Sequence, residues 1–286
     1  MRITIKLGGS ILEEAAIRGR LLGQVADIAA AGHEVILVHG GGKSLNRRLA
    51  QMQMTSNFID GLRVTDEATL GVAVMTLAGE VNKKLVTELG ALGVKALGIC
   101  GADAASVRCV PVAGTPGYPA GIGFVGKPSQ VNREFFELVV GAGIVPVVSS
   151  IALGSDATDG SDGTPDEKPD EKKDAAKSVQ LYNINADQMA AACAAGTGCE
   201  TLVFLTDVPG VMDAGEVVIR QLDKTAILDL RAKGVLSGGM LPKTASCLDA
   251  IDAGVQTVYI LPGADEDILT EFMGGTLAKG TKINGN

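Results

Sequence analysis

Aromatic side chains make up only 3% of this sequence. Its interior must therefore be assembled from Ala, Val, Ile, Leu and Met, which a hydrophobic fraction of 46% supplies amply. Cations are in the minority too, with 25 Lys and Arg against 33 Asp and Glu and a net charge of -8. That balance argues against a nucleic-acid-binding role, because gripping a phosphate backbone needs a basic face. No apolar run reaches the ~18 residues of a membrane-spanning helix, and residues 1–6 lack the apolar stretch of a signal peptide. The five cysteines are odd in number and show no CxxC spacing. They are expected to be free thiols in a reducing cytoplasm, not a disulfide framework. With two histidines and scattered cysteines, a transition-metal cage is not expected, and no residue is assigned as a metal ligand.

Glycine is abundant instead, at 38 of 286 residues, close to twice the roughly 7% of an average chain. Such an excess points to tight loops where backbone approaches something closely. Many of these glycines follow apolar runs. Residues 3–7, 34–39, 95–100, 107–112, 144–149, 201–206 and 256–261 read as strands. The nearly continuous apolar character of 34–39 suits a strand covered on both faces of a parallel sheet. Helical patterns cover the stretch from residue 11 to about 31, then 43–53, 65–89, 130–141, a helix from about 185, 223–233 and 242–253. Alternating strands and helices with short connections predict an α/β fold with a mainly parallel sheet.

The expected organisation is an N-terminal lobe (1–153), an insertion (154–177) and a C-terminal lobe (178–286). The insertion carries eight acids and four lysines with almost no large apolar residue. It is unable to bury enough surface to offset its ordering entropy, and is expected to be a solvated, mobile segment.

Several strings fail on context. Gly42-Lys43-Ser44 follows a strand, but a Walker loop needs a glycine where Leu37 stands. Gly121, Gly123 and Gly126 spell GxGxxG, but Lys127-Pro128 follows in place of an opening helix, which excludes a dinucleotide fingerprint and with it a nicotinamide-dependent oxidoreductase. His33-Glu34 has no second His at 37 and is no zinc motif.

Four clusters remain at the ends of predicted strands, where open α/β sheets bind ligands. Lys6-Leu7-Gly8-Gly9-Ser10 sets an ammonium beside bare backbone N–H groups, which suits phosphate oxygens. His39-Gly40-Gly41-Gly42 offers donors at the mouth of a helix for a carboxylate or a phosphate. In Asn183-Ile184-Asn185-Ala186-Asp187, Asn185 reads as an N-cap and Asp187 falls in the first turn. Gly238-Gly239-Met240-Leu241-Pro242-Lys243 puts a second lysine after a glycine pair, beside a Pro suited to a helix start. Two lysines on separate glycine-rich turns make sense for phosphoryl transfer, where positioning and charge neutralisation do most of the work. A carboxylate acceptor is already ionised at neutral pH and needs no general base.

Together these clusters resemble the amino acid kinase superfamily, and within it the acetylglutamate kinases. The shared blocks are KLGGS at 6–10, HGGG at 39–42, DGLRVTD at 60–66, LAGEVNKKLV at 77–86, GFVG at 123–126, NINAD at 183–187, LTDVPGV at 205–211, GGMLPK at 238–243 and GT-K-I at 280–283. The resemblance implies a three-layer α/β/α sandwich, ATP with Mg²⁺, and phosphorylation of the side-chain carboxylate of N-acetyl-L-glutamate in arginine biosynthesis. It implies that Lys6 and Lys243 stabilise the transferring phosphoryl group and that Asp187 holds both lysines. By the same resemblance, Gly8 and Gly41 offer N–H groups to phosphates, Gly9 belongs to the same nucleotide-side turn, and Gly41 and Gly42 border the acceptor pocket. Arg63 pairs with the α-carboxylate and Asn183 with the amide, while Thr206, Asp207, Val208, Gly210, Val211 and Ser237 line the nucleotide. DGLRVTD favours the acetylglutamate branch over kinases of UMP, carbamate, aspartate or glutamate. An acylated α-aminoadipate, one methylene longer, stays open as acceptor, since that difference is worth only about 1–3 kcal/mol. A non-catalytic ligand sensor on the same fold would be expected to have lost one of Lys6, Asp187 or Lys243, yet all three are present. The HGGG block continues Lys43-Ser44-Leu45, where such kinases often carry Pro. Because the sequence opens directly at its first strand, a homodimer without arginine feedback is expected.

Overall fold

The computed structural model describes residues 1–112, 121–155 and 180–285. All but the first two residues of the acidic stretch 154–177 lie outside the described residues. An eight-stranded sheet forms the middle layer. From one edge to the other it runs Gln221–Leu222, Thr281–Asn284, Thr257–Pro262, Thr201–Thr206, Arg2–Leu7, Glu34–His39, Val145–Ser149 and Ala96–Ile99. Only the pairing of Thr257–Pro262 with Thr281–Asn284 is antiparallel; every other neighbour is parallel. Strands from before and after residue 150 therefore share one sheet, with Arg2–Leu7 hydrogen-bonded between Glu34–His39 and Thr201–Thr206.

The pleat explains why these strands are apolar throughout. Successive side chains point to opposite faces. In Glu34–His39, Val35 and Leu37 enter one core while Ile36 and Val38 enter the other. Val203 and Leu205 likewise oppose Leu202 and Phe204. Helices Ala15–Ala30, Asn82–Ala91 and Ile268–Met273 cover the first face. Helices Arg133–Gly141, Ala186–Gly196 and Met240–Asp252 cover the second. The result is the expected three-layer sandwich.

In Arg2–Leu7 the residues Ile3, Ile5 and Leu7 fill the first core. Thr4 and Lys6 therefore project to the opposite face, toward helix Ala186–Gly196. A lysine in a buried strand thus faces a helix and not solvent, and is only 7% exposed.

A second, small closed sheet joins Leu181–Ile184, Val125–Val131, Val107–Pro111 and Ile151–Gly154. The strand Val125–Val131 takes the first residues of the helix expected over 130–141, which begins at Arg133 behind an Asn132 cap. It also explains the GxGxxG string. Gly126 lies in a strand, and Gly123 (φ +79°) sits against the backbone of Thr65, where a side chain would collide. The helix expected over 65–89 is broken into three. Asp66 caps Glu67–Ala73, accepting from the Thr69 N–H at 2.7 Å, a π-helical stretch follows over Val74–Val81, and Asn82–Ala91 completes it.

Candidate active site

The carboxyl ends of the parallel strands open onto a cleft of about 690 Å³. Four chain reversals converge there: 8–9 after the first strand, 40–42 after the second, 206–210 after Thr201–Thr206, and 237–239 before helix Met240–Asp252.

Asp187 organises the floor. Asn185 Oδ1 accepts from the N–H groups of Asp187 (2.9 Å) and Gln188 (3.2 Å), starting the helix and placing Asp187 in its first turn. There the carboxylate also benefits from the positive end of the helix dipole. Lys6 Nζ lies 2.7 Å from its Oδ1, and Lys243 donates to its Oδ2 at 2.9 Å. All three residues are at most 8% exposed. Burial pushes the Asp187 carboxyl up, but Lys6 and then Lys243 outweigh it and hold the group at about 2. Burial pulls the Lys6 ammonium below its usual range, opposed by Asp187 and reinforced by Lys243. Two ammoniums share one carboxylate, and Asp207 adds a weaker attraction on Lys6. Lys243 also lies 5.2 Å from the centre of the Phe204 ring, a cation–π contact.

On one side of the lysines the cleft is lined by Gly40, Gly41, Gly42, Arg63, Asn183 and Leu77. Gly41 (φ +149°) precedes helix Gly42–Gln51, whose first N–H groups have no side-chain cap. A Cβ at Gly41 would stand 2.7 Å from Leu77 Cδ2, so only glycine fits. His39 is fully buried and its pKa is driven down to about 4. Asn82 Nδ2 lies 3.1 Å from Nε2, and Nδ1 lies 2.8 Å from the Gly40 carbonyl oxygen. A neutral ring with its proton on Nδ1 satisfies both contacts and holds the glycine turn.

Arg63 closes a hairpin of Phe58–Ile59 and Leu62–Arg63. Its guanidinium stacks 4.5 Å from the Phe58 ring centre and donates to Ser56 Oγ. These contacts are with neutral groups, so a bidentate cation faces the cleft. Asn183 Nδ2 donates to Thr65 Oγ1 at 3.3 Å, and Thr65 Oγ1 donates to the Arg63 carbonyl at 2.8 Å. Thr65 thus couples Arg63 to Asn183, a link that DGLRVTD contains without any spacing that marks it. Phe58, Ser56 and Leu77 were also missed, because a stacked ring and a π-helical register leave no periodic signal.

On the other side Thr206, Asp207, Val208, Gly210 and Ser237 line the cleft, as do Gly8 and Gly9 on its floor. Two expected roles change. The Gly8 N–H donates to the Leu205 carbonyl at 2.9 Å, so it is not open to a phosphate. Gly8 contributes bareness, since a Cβ there would stand 2.8 Å from that same oxygen. Val211 does not reach the cleft: its side chain is fully buried in the core and its N–H donates to Thr281 Oγ1 at 2.8 Å.

Comparison with known proteins gives the family. The profile of the amino acid kinase family matches residues 1–262. The chain belongs to the amino acid kinase family. It is 40% identical to the acetylglutamate kinase of Koribacter versatilis over 285 residues, covering 99% of this chain and 98% of that one. It is likewise 40% identical to the acetylglutamate kinase of Acidobacterium capsulatum, covering 99% of both. Among solved structures, an N-acetylglutamate synthase from Neisseria gonorrhoeae, complexed with coenzyme A and N-acetyl-glutamate, superposes with a TM-score of 0.79 at 20% identity. It is matched over all of this chain and 59% of its own. The Giardia lamblia carbamate kinase bound to AMP-PNP gives 0.68 at 14% identity, over 100% and 98%. At such identities these two show a shared fold alone.

Proposed function

We propose that this kinase transfers the γ-phosphate of ATP to the side-chain carboxylate of N-acetyl-L-glutamate, giving an acyl phosphate and ADP, as a step of arginine biosynthesis. One observation carries the reading: two buried lysines share Asp187 at the floor of a cleft that also holds Arg63. A carboxylate oxygen attacks the γ-phosphorus while the bond from that phosphorus to the bridging oxygen breaks. The acceptor is ionised beforehand, so no proton moves and no general base is required. Lys6 and Lys243 meet the charge spread over the transferring group, and their positions are fixed before substrate arrives. Arg63 takes the α-carboxylate, Asn183 the amide, and the turn at Gly41 and Gly42 the side-chain carboxylate. The turn at 206–210 and Ser237 take the nucleotide.

Among the described residues no group of three or more His, Cys, Asp or Glu is placed to hold a metal ion. Mg²⁺ would enter with the nucleotide, bridging its phosphates and supplying charge neutralisation there. In this reading residues 1–153 bind most of the acceptor and form a homodimer contact, while residues 178–286 bind ATP and supply Asn183 to the acceptor. The dimer is supported by the position of strand Ala96–Ile99 at the end of the sheet, where Leu97 is 38% exposed. Five free thiols fit a cytoplasmic setting.

The test is acyl phosphate capture. Hydroxylamine added to enzyme, ATP, Mg²⁺ and N-acetyl-L-glutamate is expected to yield the hydroxamate in step with ADP. ADP without hydroxamate would overturn carboxylate phosphorylation.

A further inference from the structure

Helix Gly9–Glu13 has five residues and ends on Glu13. A carboxylate at a helix C-terminus opposes the helix dipole, so nothing local favours it there. Its partners lie on another element. Glu13 Oε1 accepts from Ser44 Oγ at 2.5 Å, and Oε2 accepts from Arg47 Nη1 at 2.7 Å. Ser44 and Arg47 sit three apart in helix Gly42–Gln51, on one face. Ser44 is only 6% exposed. The hydrogen bond from Ser44, ahead of that from Arg47, draws the Glu13 carboxyl below its usual range.

The two helices joined by this carboxylate begin at the two glycine turns of the site. Gly9 opens one and Gly42 the other, and a Cβ built on Gly9 would stand 3.8 Å from the Gly42 nitrogen. The turns are therefore in near contact, with Glu13 roughly 6 Å along the axis past Gly9, and Ser44 and Arg47 roughly 3 Å and 7.5 Å past Gly42. A second anchor holds the end of the shorter helix: Arg18 donates to the Leu12 carbonyl at 2.5 Å and pairs with Glu88 at 2.7 Å.

We infer that Glu13, through Ser44 and Arg47, is a positioning residue that fixes the gap between the Gly8-Gly9 turn beside Lys6 and the Gly41-Gly42 turn beside the acceptor. This rests on the phosphotransferase reading above. The clamp touches no reacting atom. It sets the distance between acceptor and phosphoryl group, a quantity to which the chemical step is far more sensitive than binding.

The test pairs steady-state kinetics with amide hydrogen exchange on Glu13→Ala, Ser44→Ala and the double variant. Glu13→Ala is expected to lower kcat about 10-fold with both KM values within about 2-fold of wild type. Ser44→Ala is expected to add nothing in the Glu13→Ala background, and exchange at residues 9–12 and 42–45 to accelerate together. A lowered melting temperature with kcat retained, or unchanged exchange at the two turns, overturns the clamp. Should wild type fail to phosphorylate N-acetyl-L-glutamate, the functional reading falls, and exchange alone decides the clamp. Should Glu13→Ala not fold, Ser44→Ala and Arg47→Ala carry the same two readouts.

Discussion

Replacing Asp187 with asparagine removes a charge and almost no volume. In the native site one carboxylate lies within 2.9 Å of both Lys243 and Lys6. The neutral amide in Asp187→Asn would leave two ammoniums, each at most 8% exposed, with no counter-charge from this position. Breaking a buried ion pair by removing one partner costs about 3–5 kcal/mol. At roughly 2–4 °C per kcal/mol for a large domain, the melting temperature falls by roughly 6–20 °C at pH 7. The loss carries a pH signature. Burial already holds the Lys6 ammonium below its ordinary range, and without Asp187 it drops further. A lysine whose folded-state pKa is depressed penalises the fold while charged, and the penalty fades as pH rises toward the unfolded value near 10.4. The deficit of Asp187→Asn should therefore shrink steadily from pH 7 to about 10. Thermal unfolding across that range, alongside wild type, reads it directly. A variant that melts within about 2 °C of wild type, with a difference indifferent to pH, would refute the claim that Asp187 is the shared counter-charge of both lysines.

Other expectations rest on the same geometry. Lys6→Ala and Lys243→Ala should each lower kcat by roughly 10²–10³ with smaller changes in KM, as for removal of a preorganised charge stabiliser; near-normal turnover in either would remove that lysine from the chemistry. Arg63→Ala should raise the acceptor KM with little change in the ATP KM, measured by ADP release. Gly41→Ala should cost about 1–3 kcal/mol from backbone strain at φ +149° and the clash with Leu77, read as a lowered denaturation midpoint. In wild type, the depressed Asp187 pKa contributes stability that is fully present above its ordinary value near 3.8 and is lost as pH falls toward about 2; acid unfolding of Asp187→Asn should lack that component.

How much of this was legible in the sequence depends on what encloses each segment. Glu34–His39 and Thr201–Thr206 were read to the residue, because a strand buried on both faces is apolar at nearly every position and ends where glycine or a polar turn begins. Val125–Val131 was hidden by Lys127, Pro128, Ser129 and Gln130, which a half-exposed strand of a small closed sheet tolerates. Leu181–Ile184 and the hairpin at 58–63 are too short to show an alternation. The π-helical register of Val74–Val81 has no periodic mark, yet it brings Leu77 against Gly41. Helix Met240–Asp252 starts two residues ahead of the Pro242 taken as its opening, since proline is tolerated in a first turn.

The residues alone show the site as four clusters, and the contact of both lysines with Asp187 is expected only through the family resemblance. That Lys6 and Lys243 meet on Asp187 follows from the pleat of one strand and the cap of one helix, elements far apart along the chain. The Gly8 N–H was assigned to phosphate because glycine bareness and donor availability look alike in sequence; parallel pairing with Thr201–Thr206 claims that donor through Leu205. Val211 was included with its neighbours in LTDVPGV, whereas Gly210 (φ +150°) turns the chain back into the core at that point.

Selectivity is the most direct test of the central claim. Initial rates of ATP consumption with Mg²⁺ would be compared for N-acetyl-L-glutamate, N-acetyl-α-aminoadipate, glutamate, aspartate, carbamate and UMP. The largest kcat/KM is expected for N-acetyl-L-glutamate, by about 10-fold or more over the one-methylene homologue, with loss of that turnover in Lys243→Ala. A larger kcat/KM for any other acceptor would contradict the assigned substrate, and no consumption with any of them would contradict the kinase itself.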